Sequence, residues 1–227
     1  MILAIDTAGE QASVALVDGE AVQAEHSWLA HRNHMRQLDD VLRDMLARVA
    51  IVPAGIHAIA VAHGPGSFNG LRVGIAAAQG LAFGLQVPLV GISTLDVIAF
   101  QASLYPGRVW ALQPAGRDEI FSAAYQGGPS WRRISEYRRT AASELATEYT
   151  SDVLLAGSGT VVLAEHLGGF PTVYAPGPLF AVRRAGYLAE LGRRYFDDNG
   201  TDQADSLQPL YLRRSAAEEN RTSDTRE

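Results

Sequence analysis

The residues best suited to chemistry lie in one stretch, His63-Gly64-Pro65-Gly66-Ser67-Phe68-Asn69-Gly70-Leu71-Arg72-Val73-Gly74. An apolar run from Ile56 to Ala62 precedes it and reads as a buried strand. A long, nearly uncharged helix over 70–85 follows. Glycines at 64, 66 and 70 around Pro65 require a tight, φ-permissive turn. A strand-to-helix turn of this kind gathers backbone N–H groups and a helix N-terminus, the arrangement that holds anions. Gly64, Pro65, Gly66, Ser67, Asn69 and Arg72 are therefore candidates for an anion-facing or nucleotide-facing loop. The same glycines equally suit a helix packed closely on a sheet, and spacing alone does not separate the two. A Walker loop is excluded because it needs lysine, and all 19 Lys+Arg residues are arginine. The dinucleotide pattern G-x-G-x-x-G fails at its third glycine, where Asn69 stands.

Asp6-Thr7, after the first apolar run, completes the candidate loop. A carboxylate there could orient a metal-bound nucleotide; the better reading is a cap on the turn that follows the strand. Energetics agree. Micromolar nucleotide binding needs about 8 kcal/mol, whereas one helix N-terminus supplies about 0.3–1 kcal/mol, or about 2 when partly buried. No lysine, adenine pocket motif or Mg²⁺ carboxylate cluster supplies the rest, so the chain by itself should bind nucleotide poorly. Metal chemistry is weak too. His31 and His34 stand at i, i+3 with no third ligand at useful spacing, and His57 and His63 flank a strand as core-edge residues. No nucleophile–base pair is visible, and cysteine is absent, which removes disulfides, thiolate metal sites and cysteine nucleophiles.

The elements that position these residues follow from periodicity. Ile2–Asp6, Ala12–Val17 and Ala21–Ser27 read as strands, with Asp18-Gly19 as a hairpin turn. Met35, Leu38, Val41, Leu42, Met45, Leu46 and Val49 fall at helical spacing, so 34–50 is an amphipathic helix stopped by Pro53 and Gly55. The strand 56–62, the helix 70–85, a strand over 88–92 and a helix from Thr94, capped by Ser93, complete a βββαβαβα order. Beyond Pro106-Gly107, strands over 109–114, 120–126, 131–137 and 153–156 alternate with short helices, and a last helix covers 179–196. Residues 215–227 are polar and should be disordered. Val73 to Ile92 carries no charge, but its Gln79, Gln86, Pro88 and many Ala and Gly argue for a buried helix and strand rather than a membrane span.

At 227 residues with 47% hydrophobic composition, the chain can bury a sizeable core. A net charge of −6 argues against a surface given over to nucleic acid, although Arg132-Arg133 and Arg138-Arg139 form a local basic cluster. With no basic leader before the first strand, a cytoplasmic location is expected.

Several motifs occur in register along the chain: Leu3-Ala4-Ile5-Asp6-Thr7 with Ser13-Val14-Ala15-Leu16, the 64–74 block, Val90-Gly91-Ile92-Ser93-Thr94-Leu95, and Pro209-Leu210-Tyr211-Leu212-Arg213. Together they resemble the TsaB (YeaZ) family of the ASKHA superfamily. Asn69 stands where that family usually has Thr, and 105–200 contributes none of the motifs. The resemblance implies two actin-like, ribonuclease H-like α/β domains with βββαβα-type mixed sheets. The first would span 1–104 with 207–214 returning to it, and the second 105–206. It also implies a non-catalytic, activating or dimerising subunit of the complex that forms N6-threonylcarbamoyladenosine at position 37 of ANN-decoding tRNAs.

The implied partners are a TsaD-like catalytic subunit, a TsaE-like ATPase, and a second copy of the chain when alone; tRNA is reached only through the complex, and no membrane is involved. No cofactor is expected on the chain itself, and ATP or ADP enters only with the assembled complex. One check lies in the residues. The related catalytic subunit carries a His-x-x-x-His metal pair where this chain has Ser93 and Val97, and valine ligates nothing. The helix over 70–85 is apolar all round and must be covered on every side. With the resemblance, this places the partner interface at His34, Met35, Leu38, Val41, Leu42 and Met45 on one helix and Leu71, Ile75, Ala78, Gln79 and Ala82 on the other. The alternatives are a metal-dependent glycoprotease-like hydrolase and an ASKHA small-molecule kinase.

Overall fold

Alternation of large and small residues along the central strands decides how the sheets are covered. In the computed structural model, which describes residues 1–30, 34–116, 118–149, 153–167, 173–174, 181–199 and 206–212, the first half runs β1 (Ile2–Asp6), β2 (Gln11–Asp18), β3 (Ala21–Leu29), α1 (His34–Arg48), β4 (Ala58–Gly64), α2 (Phe68–Leu85), β5 (Leu89–Ser93) and α3 (Thr94–Gln101). Its five strands lie in the order β3-β2-β1-β4-β5. The β2–β3 hairpin turns at Gly19, whose φ of 56° favours glycine. Strands β1 and β4 pair in parallel at the centre with Leu3 opposite Ile59 and Ile5 opposite Val61. Leu3, Ile5, Val14, Leu16, Ile59 and Val61 point to one face, where α1 and α2 cover them with Leu38, Met45, Ile75 and Ala78. The opposite face is built of alanines, Ala4, Ala15, Ala60 and Ala62. Burial on both faces is why these strands read as continuous apolar runs.

The second half repeats the order: β6 (Arg108–Gly116), β7 (Glu119–Gln126), β8 (Arg132–Arg133), β9 (Arg138–Ala141), α4 (Ala142–Ala146), β10 (Val153–Ala156), α5 (Gly159–Ala164), β11 (Val173–Tyr174) and α6 (Ala185–Asn199). Its sheet runs β11-β10-β6-β7-β8, with β9 also on β7, so β6 holds the rank that β1 holds in the first sheet. The duplicated mixed α/β fold is the one expected from the sequence. Of the segment read as one strand over 131–137, only β8 (Arg132–Arg133) is strand; β9 starts beyond it at Arg138, and between the two the Ser135 hydroxyl accepts from the Ala124 N–H at 2.8 Å.

The domain division expected from the sequence is crossed by two helices. Helix α6, assigned to the 105–206 unit, packs on the first sheet: Ala185, Leu188, Ala189 and Leu191 join the alanine face of β1, β2 and β4. Gly192 permits that approach, since a Cβ there would lie 2.6 Å from the Ala60 Cβ. Helix α3, assigned to the first unit, lays Leu95, Ile98 and Ala99 on Val109, Ala111, Phe121 and Tyr125 of the second sheet. Each half therefore covers the other, and α3 and α6 touch along the seam. Residues Leu207 and Leu210 lie against the first half, while Leu212 packs on the core of the second sheet. Leu207 packs beneath α2, and the Leu210 N–H donates to the His63 carbonyl at 2.7 Å. The expected disorder of 215–227 falls outside the described residues. Among the described residues no helix is long and apolar enough to cross a membrane.

Candidate functional site

The 64–74 turn is built around contact with β1. Ser67 caps α2, its hydroxyl accepting from the Gly70 N–H at 3.4 Å, so the helix begins at Phe68, two residues before the start expected from sequence. The Thr7 hydroxyl donates to the Gly70 carbonyl at 2.7 Å, and the Ser67 N–H donates to the Ala8 carbonyl at 2.8 Å. A Cβ on Gly66 would overlap the Ala8 carbonyl oxygen, one on Gly70 the Thr7 carbonyl oxygen, and one on Gly74 the Thr7 hydroxyl. These three glycines are accounted for by that approach. Gly64 differs, with a φ of 122° and the Leu210 carbonyl 2.7 Å from where its Cβ would stand. Asn69 is exposed. Arg72 turns outward, with its guanidinium 3.9 Å from the Phe68 ring centroid and its Nε donating to the Tyr211 hydroxyl at 3.4 Å. Phe68 and Tyr211 stack at 5.5 Å between centroids, so an Arg–Phe–Tyr stack borders the cleft.

Asp6 does cap its turn, Oδ1 accepting from the Ala8 N–H at 2.9 Å. It also carries a partner that motif reasoning missed. Arg183, just before α6, donates from Nε to Asp6 Oδ2 at 2.7 Å and from Nη2 to Asp6 Oδ1 at 3.2 Å. Its Nη1 donates to Gln113 Oε1 on β6 at 3.1 Å, and Nη2 reaches the Gln11 carbonyl at 3.4 Å. Asp6 is 1% exposed and Arg183 6%, so the pair is buried. Above it opens a cleft of about 1210 Å³ between the halves, lined by Gly9, Gln11, Gly66, Phe68, Gln113, Phe121, Ser158, Arg183 and Tyr211 among others. Arg183 fell inside the helix expected over 179–196, whereas α6 begins at Ala185, and nothing in its spacing pointed to Asp6.

The positions corresponding to a histidine metal pair serve other ends. The Ser93 hydroxyl caps α3 by accepting from the Leu95 N–H at 3.2 Å, and Val97 lies fully buried in the core of the first sheet. Beside them, Asp96 accepts from Tyr125 at 2.7 Å and from Tyr137 at 2.8 Å. Burial, then the Asp96 charge, push both phenols above their ordinary range, and burial raises Tyr149 likewise. A phenol whose folded pKa exceeds its unfolded value adds stability that is complete below about pH 10 and is lost as pH climbs through the raised range. Alkaline titration followed by phenolate absorbance and circular dichroism should show these three ionising late and together with unfolding. One step near pH 10 for all tyrosines in a still-folded chain would contradict this.

Half of the basic cluster is paired: Arg138 meets Glu148 at 2.6 Å and Arg139 meets Glu119, while Arg133 stacks over Tyr137 and Arg132 is exposed. The Met1 amine contacts His57 Nδ1 at 2.9 Å, and no group of three or more potential metal ligands occurs among the described residues. Nothing is described of the His34 and Met35 side chains, and His31 lies outside the described residues.

The interface residues proposed from sequence require correction. Leu38, Met45, Leu71, Ile75, Ala78 and Ala82 are 0–5% exposed and face their own sheet. Val41 and Leu42 are half-buried against the same core, and Gln79 is half-buried with its amide donating to the Leu207 carbonyl at 3.3 Å. An apolar period shows that a helix is covered but not by what. The outward face of α2 holds Arg72, Ala76, Gly80, Phe83 and Gly84. Phe83 is 84% exposed, and a Cβ on Gly80 or Gly84 would meet only open space.

With this geometry established, comparison with known proteins is direct. The family model described as "TsaD: tRNA N6-adenosine threonylcarbamoyltransferase" matches residues 27–164. The chain is 42% identical over 127 residues to the "tRNA threonylcarbamoyladenosine biosynthesis protein TsaB" of Escherichia coli, covering 55% of this chain and 54% of that one. To the protein of the same description in Haemophilus influenzae it is 28% identical over 93% of both chains. Among solved structures, YeaZ from Pseudomonas aeruginosa superposes with a TM-score of 0.81 at 28% identity, over 93% of this chain and 99% of that one. The matches to the Escherichia coli and Bacillus subtilis relatives span about half of their lengths, 54% and 55%. The chain belongs to the TsaD-type tRNA N6-adenosine threonylcarbamoyltransferase family, in which it stands with the TsaB (YeaZ) proteins.

Proposed function

We propose that this chain is a non-catalytic, activating subunit in the formation of N6-threonylcarbamoyladenosine at position 37 of ANN-decoding tRNAs. In this reading it pairs with a TsaD-like catalytic subunit, and with its own copy when that partner is absent. ATP turnover belongs to a TsaE-like partner, and tRNA is engaged through the complex. The observation that carries the reading is the outward face of α2, where Ala76, Gly80 and Gly84 leave the backbone open to close approach beside an 84% exposed Phe83. An aromatic anchor next to a small-residue strip suits a partner helix, and names borne by the relatives supply the pathway.

Phe83→Arg should leave the melting temperature of the isolated chain within a few degrees of wild type, because exposed positions contribute within about 0.5 kcal/mol. It should weaken co-purification and sedimentation-measured association with the organism's TsaD-like protein at least about tenfold, equivalent to about 1.4 kcal/mol. In reconstitution, the wild-type chain should raise threonylcarbamoyl transfer by the TsaD-like subunit and show none alone. Undiminished association of folded Phe83→Arg would place the interface elsewhere. Transfer by the pure chain would sink the non-catalytic reading.

A further inference from the structure

The two halves of the molecule share one side chain at the floor of their cleft. Asp6 ends β1, and Gln113 lies near the end of β6, the strand of the same rank in the second sheet. Between them the Arg183 guanidinium spends Nε and Nη2 on the carboxylate and Nη1 on the amide oxygen. We propose that Arg183 is the permanent cationic occupant of the cleft floor, latching β1 to β6 and leaving no seat there for a metal-bound phosphate.

The surroundings are built for that occupant. Gly9 lacks the Cβ that would come within 2.9 Å of Nη2. The backbone on either side of Arg183 is held by one side chain, Gln101 of α3, whose Nε2 donates to the Val182 carbonyl at 2.9 Å while its Oε1 accepts from the Arg184 N–H at 3.3 Å. Arg184 in turn reaches Glu25 on β3, its Nε donating at 2.9 Å, and Glu25 Oε1 accepts from the Gly186 N–H at the start of α6 at 2.8 Å. The guanidinium is thus fixed from its backbone outward.

Charge completes the argument. Gln113 is neutral, so one buried cation balances one buried anion, and neither Asp6 nor Arg183 is left free; exposed Glu10, on the same cleft, is a single carboxylate away from that pair. At the start of α2 the Ala8 carbonyl accepts from the Ser67 N–H and the Ser67 hydroxyl accepts from the Gly70 N–H, so two of the donors there are already used. A metal-bound nucleotide therefore does not fit this floor. The inference stands independently of the partner assigned above.

The chain contains no cysteine, so spin labels can be placed cleanly at Arg43→Cys on α1 and Val161→Cys on α5, positions 77% and 70% exposed. With Arg183 in place the label-to-label distance should be narrow. Arg183→Gln should broaden it toward longer separations and lower the melting temperature by about 10 °C, the effect expected for removing one member of a buried ion pair. Asp6→Asn should do the same, and the double variant should lose clearly less than the sum of the two. Titration of the unlabelled wild-type chain with Mg²⁺–ADP, and separately with inorganic phosphate, should show no binding in the micromolar range. If Arg183→Gln is too unstable to label, Arg183→Lys and Asp6→Asn carry the same readouts. Folded variants with the wild-type distance and melting temperature, or micromolar Mg²⁺–ADP binding by the wild type, would overturn the proposal.

Discussion

Ala78→Trp should unfold the chain rather than only loosen its assembly. Ala78 is fully buried on the sheet-facing side of α2, within the core formed by Leu3, Ile5, Ile59 and Val61. An indole there would have to displace the side chains of that core, and overpacking a close-packed site costs about 3 kcal/mol or more. Leu38→Arg, at a residue 2% exposed, buries an unpaired charge in the same layer and should cost several kcal/mol, of the order of about 3–5. Against a total stability of about 5–15 kcal/mol, either change should lower the melting temperature by about 10 °C or more. Circular dichroism melts run beside sedimentation equilibrium separate the outcomes. A folded Ala78→Trp chain that has lost only its partner would mean that Ala78 faces outward after all. Phe83→Arg is the matched comparison, since it changes the same helix on its exposed side.

Gly66→Ala and Gly70→Ala should be nearly as damaging despite adding one methyl group each. Both would drive a Cβ into a main-chain carbonyl, of Ala8 and Thr7 respectively, and backbone cannot swing aside as a flexible side chain can. Separation of the 64–70 turn from the β1–β2 turn would also stretch the Thr7–Gly70 and Ser67–Ala8 hydrogen bonds. A cost of about 3 kcal/mol is expected for each, corresponding to a fall of about 6–12 °C in melting temperature for a chain of this size. Gly80→Ala on the open side of the same helix should go the other way, stabilising the isolated chain by up to about 1 kcal/mol through helix propensity alone. Equal effects at 66, 70 and 80 would mean that intrinsic propensity, not the contact with β1, governs the turn.

Much of the architecture follows from local pattern. Alternation and turn chemistry place β1, β2 and β3, because a reversal at Gly19-Glu20 pairs Asp18 with Ala21, and after a register shift between Leu16 and Val17 the pairing runs on to Ser13–Ser27. Ser67 and Ser93 cap α2 and α3 through their hydroxyls, one of them anticipated directly from its place ahead of a helical run. Within the 64–74 motif, Gly66 and Gly70 are the positions where the backbone comes close to the backbone after β1. The cap role of Asp6 was likewise readable from its position after a strand.

What the tertiary structure alone decides is which surface each pattern meets. The apolar stripes of α1 and α2 look the same in sequence whether they cover a sheet or await a partner; the large residues on one face of β1 and β4 show that they cover the sheet. Helices α3 and α6 change halves because the alanine face of the first sheet and Gly192 admit α6 at short range, an arrangement between segments more than a hundred residues apart in the chain. Arg183 is the clearest case. It lies 177 residues from Asp6, so no spacing rule links them, and Asp6 on its own reads as a turn cap. Burial joins them: a charge taken out of water must find its counter-charge wherever the fold brings one, and that choice is made in three dimensions.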